Sequence, residues 1–223
     1  MREPWVTAEA VDTPDGVLML QQRSGNSVIT IEGRVLMSSR HTRSEVAVAE
    51  LGCAAIQDRP RPRVLISGLG LGFTLRAALD VLPPTADVVV AELNEVVVRW
   101  CRGPIASVAG DTLADPRVRV VVGDVADEIR RVAHDPAAPR FDAIILDLYF
   151  GPAEPHPGGD DPLYGPTILK ASHKALSPGG VLAVWGEVRS PSYERRMRAG
   201  GFRSEWVKPR GGGPRHAVHL GTK

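Results

Sequence analysis

From Arg63 onward, short uninterrupted apolar runs alternate with stretches of helical spacing, and this alternation restricts the fold more than any other feature of the chain. The runs are Val64–Ser67, Val88–Ala91, Val118–Val122, Ala143–Leu146 and Val181–Trp185. They are apolar at consecutive positions, as strands covered on both faces are. Helical patterns lie between and after them, at 74–82, 95–102, 126–133, 165–176 and 192–199. Strand and helix at this pitch predict an α/β fold, a doubly wound, Rossmann-like parallel sheet. The end of the chain differs. Phe202–Val207 and His216–Leu220 flank Gly211-Gly212-Gly213, which predicts a closing antiparallel hairpin.

The first sixty residues are of another kind. Val17–Leu20, Ser27–Ile31 and Val35–Ser38 are β-prone runs broken by Asp15-Gly16, Ser24-Gly25-Asn26 and Glu32-Gly33, the punctuation of hairpins. A helix is expected over Ser44–Ile56, and Arg59-Pro60-Arg61-Pro62 reads as a stiff linker. The expected division is a β-hairpin and helix cap over 1–58 and a nucleoside-binding domain over 59–223.

Composition narrows the function classes. A hydrophobic share of 43% in 223 residues excludes disorder over the whole length and suits one main domain with a small appendage. A net charge of +1 and a single short basic stripe (Arg195, Arg196, Arg198) argue against nucleic acid as a partner. No run approaches the roughly 20 apolar residues needed to cross a bilayer, and MREPWVTAEA carries no leader-like apolar stretch. A soluble, cytoplasmic protein is expected. Cys53 and Cys101 are too few for a disulfide framework or a four-sulfur metal site. His216 and His219 fall on opposite faces of a predicted strand, so no metal is expected.

The chemistry concentrates at the ends of the predicted strands. Gly68-Leu69-Gly70-Leu71-Gly72 follows the first of them and precedes a helix, where glycines let a ligand approach the backbone. Glu92 ends the second strand, about twenty residues past the loop, where a carboxylate can hold the hydroxyls of a ribose. Asp124 ends the third strand and Asp147 the fourth. One such acid is usually a helix cap; three in succession beside a glycine loop mark a ligand edge. The loop Gly151–Leu163 is too long and too rich in Pro and Gly for a simple connector, and it reads as a substrate-facing lid. His156, Asp160 and Asp161 in it, with Tyr164 after it, are candidate acceptor contacts.

The set Val64–Arg76, Val89–Arg102, Asp115–Ile129, Phe141–Pro152 and Ala175–Val184 resembles the class I S-adenosylmethionine-dependent methyltransferases, and within them the spermidine synthase (polyamine aminopropyltransferase) branch. The likeness extends to Ser24–Gly33, similar to that branch's N-terminal hairpin, and to a helix opening at Ser44-Glu45. It implies a donor site made of Gly68, Leu69, Gly70, Gly72, Glu92, Leu93, Asp124, Val125 and Asp147, with Asp147 and Tyr149 beside the reacting atoms, and it implies a homodimer. Two departures matter. The branch has Asp where this chain has Leu71, and a second acid where it has Phe150. An Asp at position 71 would repel the α-carboxylate of S-adenosylmethionine, whereas the decarboxylated donor ends in a lone ammonium that needs such a partner. The expectation is therefore an S-adenosylmethionine-dependent methyltransferase acting on a small-molecule or peptide acceptor and releasing S-adenosylhomocysteine. Two alternatives stay open: aminopropyl transfer from decarboxylated S-adenosylmethionine, and a nucleoside-binding regulator without turnover. Asp147 is the expected base, unless it only caps the strand or holds the donor's amino group.

Overall fold

A computed structural model describes residues 3–152, 160–209 and 216–223 of the chain. Among them a seven-stranded sheet carries five parallel strands in its interior and one flank, ordered β9-β8-β5-β6-β7, with β11 and β10 added antiparallel beyond β9. These strands are β5 (Arg63–Ser67), β6 (Asp87–Glu92), β7 (Val118–Val122), β8 (Phe141–Leu146), β9 (Leu176–Gly186), β10 (Arg203–Val207) and β11 (Ala217–Thr222). Every side chain of β5 and β6 beyond its first residue is buried, as the apolar runs require. Strand order reverses between β5 and β8. In such a sheet ligands settle outside the carboxyl ends of the strands at that reversal.

The helices are α1 (Arg43–Cys53), α2 (Phe73–Val81), α3 (Glu95–Arg102), α4 (Val125–His134), α5 (Pro166–Ala175) and α6 (Pro191–Ala199). Two apolar clusters cover the two sides of the sheet. One gathers Ile66, Val90 and Ile145 with α1, α2 and α3; the other gathers Leu65, Ile144 and Leu182 with α4, α5 and α6. Helix α1 lies directly on the sheet because it carries Gly52, where a Cβ would come within 3.0 Å of both Ala183 Cβ and Ile145 Cγ1.

The N-terminal segment departs from the expected hairpin. It is a four-stranded antiparallel meander of β1 (Val6–Thr13), β2 (Gly16–Arg23), β3 (Asn26–Ile31) and β4 (Arg34–Ser38). The sequence hides β1 because most of its side chains are exposed, so it lacks an apolar face. Contacts with α3 hold it. Trp100 Nε1 donates to Glu9 at 2.7 Å, Arg99 pairs with the same carboxylate at 2.6 Å, and together they keep the Glu9 carboxyl below its ordinary value. Leu18, Leu20 and Ile29 join the main core, so the meander is packed over the carboxyl ends of β5 and β6 and not hung from a linker. The proline-rich stretch is clipped as well: Arg59 bonds Asp142, Ser177 and the Pro178 carbonyl.

Candidate active site

Two cavities adjoin at the carboxyl edge of the sheet. The first, about 290 Å³, is lined by Gly68, Gly70, Glu92, Leu93, Asp124 and Val125, with Leu18, Ile29 and Met37 from the meander closing it. The second, about 670 Å³, is lined by Ser44 and Glu45 of α1, by Phe150 and Gly151, and by Trp185, Glu187, Val188 and His216. Asp147, Leu148, Tyr149, Leu36 and Met37 line both and form the wall between them. A donor in one and an acceptor in the other would meet across Asp147.

Glu92 is buried, and both of its oxygens are engaged: Oε2 accepts from Leu69 N at 2.7 Å and Oε1 from Asn94 N at 2.9 Å. Burial pushes its carboxyl up, and those backbone amides work the other way. Asp124 does two things at once. It caps α4 by accepting from Ala126 N at 2.8 Å, and it lines the smaller cavity. Asp147 is bonded by the Thr74 hydroxyl from the first turn of α2. Desolvation pushes its carboxyl up to about 7; the Thr74 bond opposes that shift and the nearby Glu45 carboxylate adds to it. Tyr149 is 40% exposed and packs edge-on to Phe150, ring centroids 4.7 Å apart.

Other expected contacts sit elsewhere. Leu69 is buried beneath the loop, and neither it nor Gly72 lines a cavity. Tyr164 lines neither cavity: its hydroxyl donates to the Phe150 carbonyl at 2.6 Å, so it fixes the wall from behind. Asp161 accepts from Leu163 N at 2.8 Å and Tyr164 N at 2.9 Å, a turn that shapes the start of α5, and Asp160 accepts from Thr167 N. Neither acid lines a cavity. His156 and most of the expected lid lie outside the described residues.

Glu45 was not singled out by sequence reasoning. In the sequence it is an ordinary acid in the first turn of a helix. Only the docking of α1 on the sheet brings it to the cavity, where it is 9% exposed and bonded by the Ser44 hydroxyl at 2.6 Å. Among the described residues no group of three His, Cys, Asp or Glu side chains could hold a metal ion, and no helix is long and apolar enough to cross a membrane.

No family model matches the chain. The crystal structure of spermidine synthase from Thermotoga maritima superposes with a TM-score of 0.72 at 18% identity, over 97% of this chain and 72% of that one. The polyamine aminopropyltransferase of Mycobacterium tuberculosis is 35% identical over 144 residues, which is 64% of this chain and 26% of that protein. The chain is similar in sequence to polyamine aminopropyltransferases over part of its length and shares the fold of spermidine synthases. The enzyme of the same name from Korarchaeum cryptofilum is 29% identical over 140 residues, 61% of this chain and 40% of its own length. The spermidine synthase-like chain thus spans well under half the length of these curated relatives.

The comparisons overturn the methyltransferase expectation, because the relatives it resembles are named for aminopropyl transfer. The structure supplies the physical reason. With Leu71 in place of an acid, an α-carboxylate would still need free N–H groups of the loop backbone to receive it. Four amides of the loop are already taken: Gly68 N by Ala91 O, Leu69 N by Glu92, Leu71 N by Met37 Sδ at 3.0 Å and Gly72 N by Leu69 O. The Leu71 side chain is buried in the core and does not face the donor space. No lysine or arginine lines either cavity among the described residues, so a carboxylate-bearing tail would meet Glu92, Asp124 and Asp147 with no cation to offset them.

Proposed function

We propose that this chain is an aminopropyltransferase, taking the aminopropyl group of decarboxylated S-adenosylmethionine to an amine acceptor of the polyamine class. The supporting observation is the pair of adjoining cavities, acid-lined and without lysine or arginine among the described residues, that share the Asp147–Tyr149 wall. Glu92 and Asp124, which line the smaller cavity, hold the nucleoside, with Gly68 and Gly70 letting it approach the backbone and Leu93 and Val125 adding apolar lining. The acceptor's nitrogen lone pair attacks the aminopropyl carbon bonded to the sulfonium. The carbon–sulfur bond breaks, its electron pair stays on sulfur, and methylthioadenosine leaves as a neutral thioether. The sulfonium is already activated, so most of the catalysis is alignment across the wall. Asp147, poised near neutrality, takes the proton that the attacking nitrogen must lose, and Tyr149 shields the transfer from water.

The test supplies the purified chain with each donor and a diamine. Methylthioadenosine and an aminopropylated amine from the decarboxylated donor support the reading. A methylated amine, or donor binding with no transfer across an amine panel, defeats it; the latter outcome would leave the nucleoside-binding regulator, which the replacements at Leu71 and Phe150 favour. A reducing, cytoplasmic setting and a homodimer belong to the same proposal. Buried, unpaired Cys53 and Cys101 support the first, and exposed Val6 and Val35 on the meander support the second; sedimentation reads the dimer directly.

A further inference from the structure

We infer that Arg196 is a positioning residue for the transfer: one guanidinium on α6, behind the site, fixes the segment that continues the wall between the two cavities. This rests on the aminopropyl-transfer reading above, and it concerns a side chain that lines neither cavity.

In the sequence Arg196 belongs to a basic stripe with Arg195 and Arg198, the ordinary look of a solvated helix face. The fold separates the three. Arg195 and Arg198 are exposed, whereas Arg196 is partly buried and reaches the chain that leaves β8. Its Nη2 donates to the Pro152 carbonyl at 3.1 Å and its Nε to the Tyr164 carbonyl at 3.3 Å. No carboxylate pairs with it among the described residues. Its charge is directed instead at two main-chain oxygens from separate stretches of chain. The rigid fork of a guanidinium can span them; a lysine, a single point of charge, cannot.

Those two bonds bracket the wall. Tyr164, held by the second, donates its hydroxyl to the Phe150 carbonyl at 2.6 Å. Its ring meets Tyr193 edge-on, and the Arg196 guanidinium lies over that same Tyr193 ring, 5.4 Å from its centroid. Phe150 and Pro152 are thus both tied to α6, one through Tyr164 and one directly. Gly151 between them is buried against the end of β9, where a Cβ would come within 2.9 Å of Gly186 Cα. On the cavity side Tyr149 and Phe150 are exposed and pack edge-on to each other, so the segment takes its position from behind. Asp147 stands at the head of this segment, facing Thr74 of α2 and Glu45 of α1, with Tyr164 near it. Slack in the wall would misalign the acceptor nitrogen with the donor carbon. It would also admit water beside Asp147 and relieve the desolvation that pushes this carboxyl up to about 7.

The experiment measures transfer at saturating decarboxylated S-adenosylmethionine with 1,4-diaminobutane varied, in wild type, Arg196→Met, Arg196→Lys and Arg195→Met. Arg196→Met keeps the stem over Tyr193 and deletes both bonds. It should lower kcat/KM for the amine about 10- to 100-fold, the cost of misplacing a reactant by about an ångström, while methylthioadenosine affinity, read by calorimetry, stays at the wild-type value. The midpoint of its rate–pH profile should fall below that of wild type, a shift that lost fold stability alone does not produce. Arg196→Lys should recover little, and Arg195→Met should match wild type throughout. Wild-type kcat/KM and pH midpoint in Arg196→Met, or full recovery with lysine, overturns the assignment. So does a loss of methylthioadenosine affinity as large as the loss of transfer, because Arg196 would then support the whole site. If Arg196→Met fails to fold, Arg196→Lys is held to the same criteria. A wild type that transfers nothing from the decarboxylated donor would count against the proposed function itself. Hydrogen exchange then decides the assignment: faster exchange at residues 149–151 in Arg196→Met, with β5 unchanged, supports it, and unchanged exchange there overturns it.

Discussion

On the proposed aminopropyl transfer, a single carboxyl group should set the pH response. Asp147 sits where desolvation raises its pKa from 3.8 to about 7, and only its ionised form can accept a proton. Transfer is expected to climb as pH rises through about 7 and then level, in a profile of rate against pH at saturating donor. Thr74 bonds the charged form and holds the pKa down. Thr74→Val should therefore shift the midpoint of that profile to higher pH, an outcome that a purely structural hydroxyl would not produce. Asp147→Asn should cost about 10²–10⁴-fold in transfer, with donor affinity measured separately. Linkage gives a second sign. The folded chain binds this proton more tightly than the unfolded chain does, so the contribution of Asp147 to stability falls as pH rises between 3.8 and about 7. Asp147→Asn should then gain thermal stability relative to wild type at pH 8 and show no such gain at pH 3.

At the scale of elements, the seat of α1 decides whether the second cavity exists. Gly52 admits that helix to the sheet, since a side chain there meets Ala183 and Ile145. Gly52→Val should lower unfolding stability by about 1–3 kcal/mol in denaturant titration, the usual cost of overpacking. It should also weaken acceptor binding more than nucleoside binding, because Glu45 rides on α1 and Glu92 does not. The same helix carries Cys53, and Cys101 lies under the glycine loop with its thiol 3.3 Å from the Gly70 carbonyl. Burial pushes both thiols up to about 12. Neither should react with a thiol reagent at pH 8 until the chain unfolds. Rapid labelling of the folded chain would show that α1 or α3 opens.

Across the whole molecule, the N-terminal meander roofs a sheet that would otherwise leave its ligand edge open. Leu18 and Ile29 close the smaller cavity, Met37 reaches the glycine loop, and Glu9 anchors the first strand through Trp100 and Arg99. Gly70 has φ +52°, a conformation that side chains rarely adopt, and a Cβ there would come within 2.6 Å of Met37 Sδ, so a substitution would strain the loop and displace the end of Met37. Trp100→Phe keeps the buried ring and deletes the bond to Glu9. It should speed hydrogen exchange in β1 while β5 and β8 stay protected, and it should weaken nucleoside binding without unfolding the sheet. Unchanged exchange in β1 would mean that apolar packing alone holds the roof.

How much of this was legible in the residues follows from the reach of each signal. Period and punctuation are local, so the apolar runs read as buried parallel strands, and Glu92, Asp124 and Asp147 were visible as strand-end acids. The sequence by itself thus determined the wound sheet, the closing antiparallel pair and the row of acids at the carboxyl edge of that sheet. It did not show that β1 pairs, because an exposed strand is held by Trp100 and Glu9, 91 residues apart in the chain. Nor did it show that Asp161 and Tyr164 face the turn and the back of the wall, that the loop amides are already engaged, or that Glu45 borders a cavity. Those are matters of which way a side chain points once α1, the meander and β9 have docked, and only long-range packing decides that.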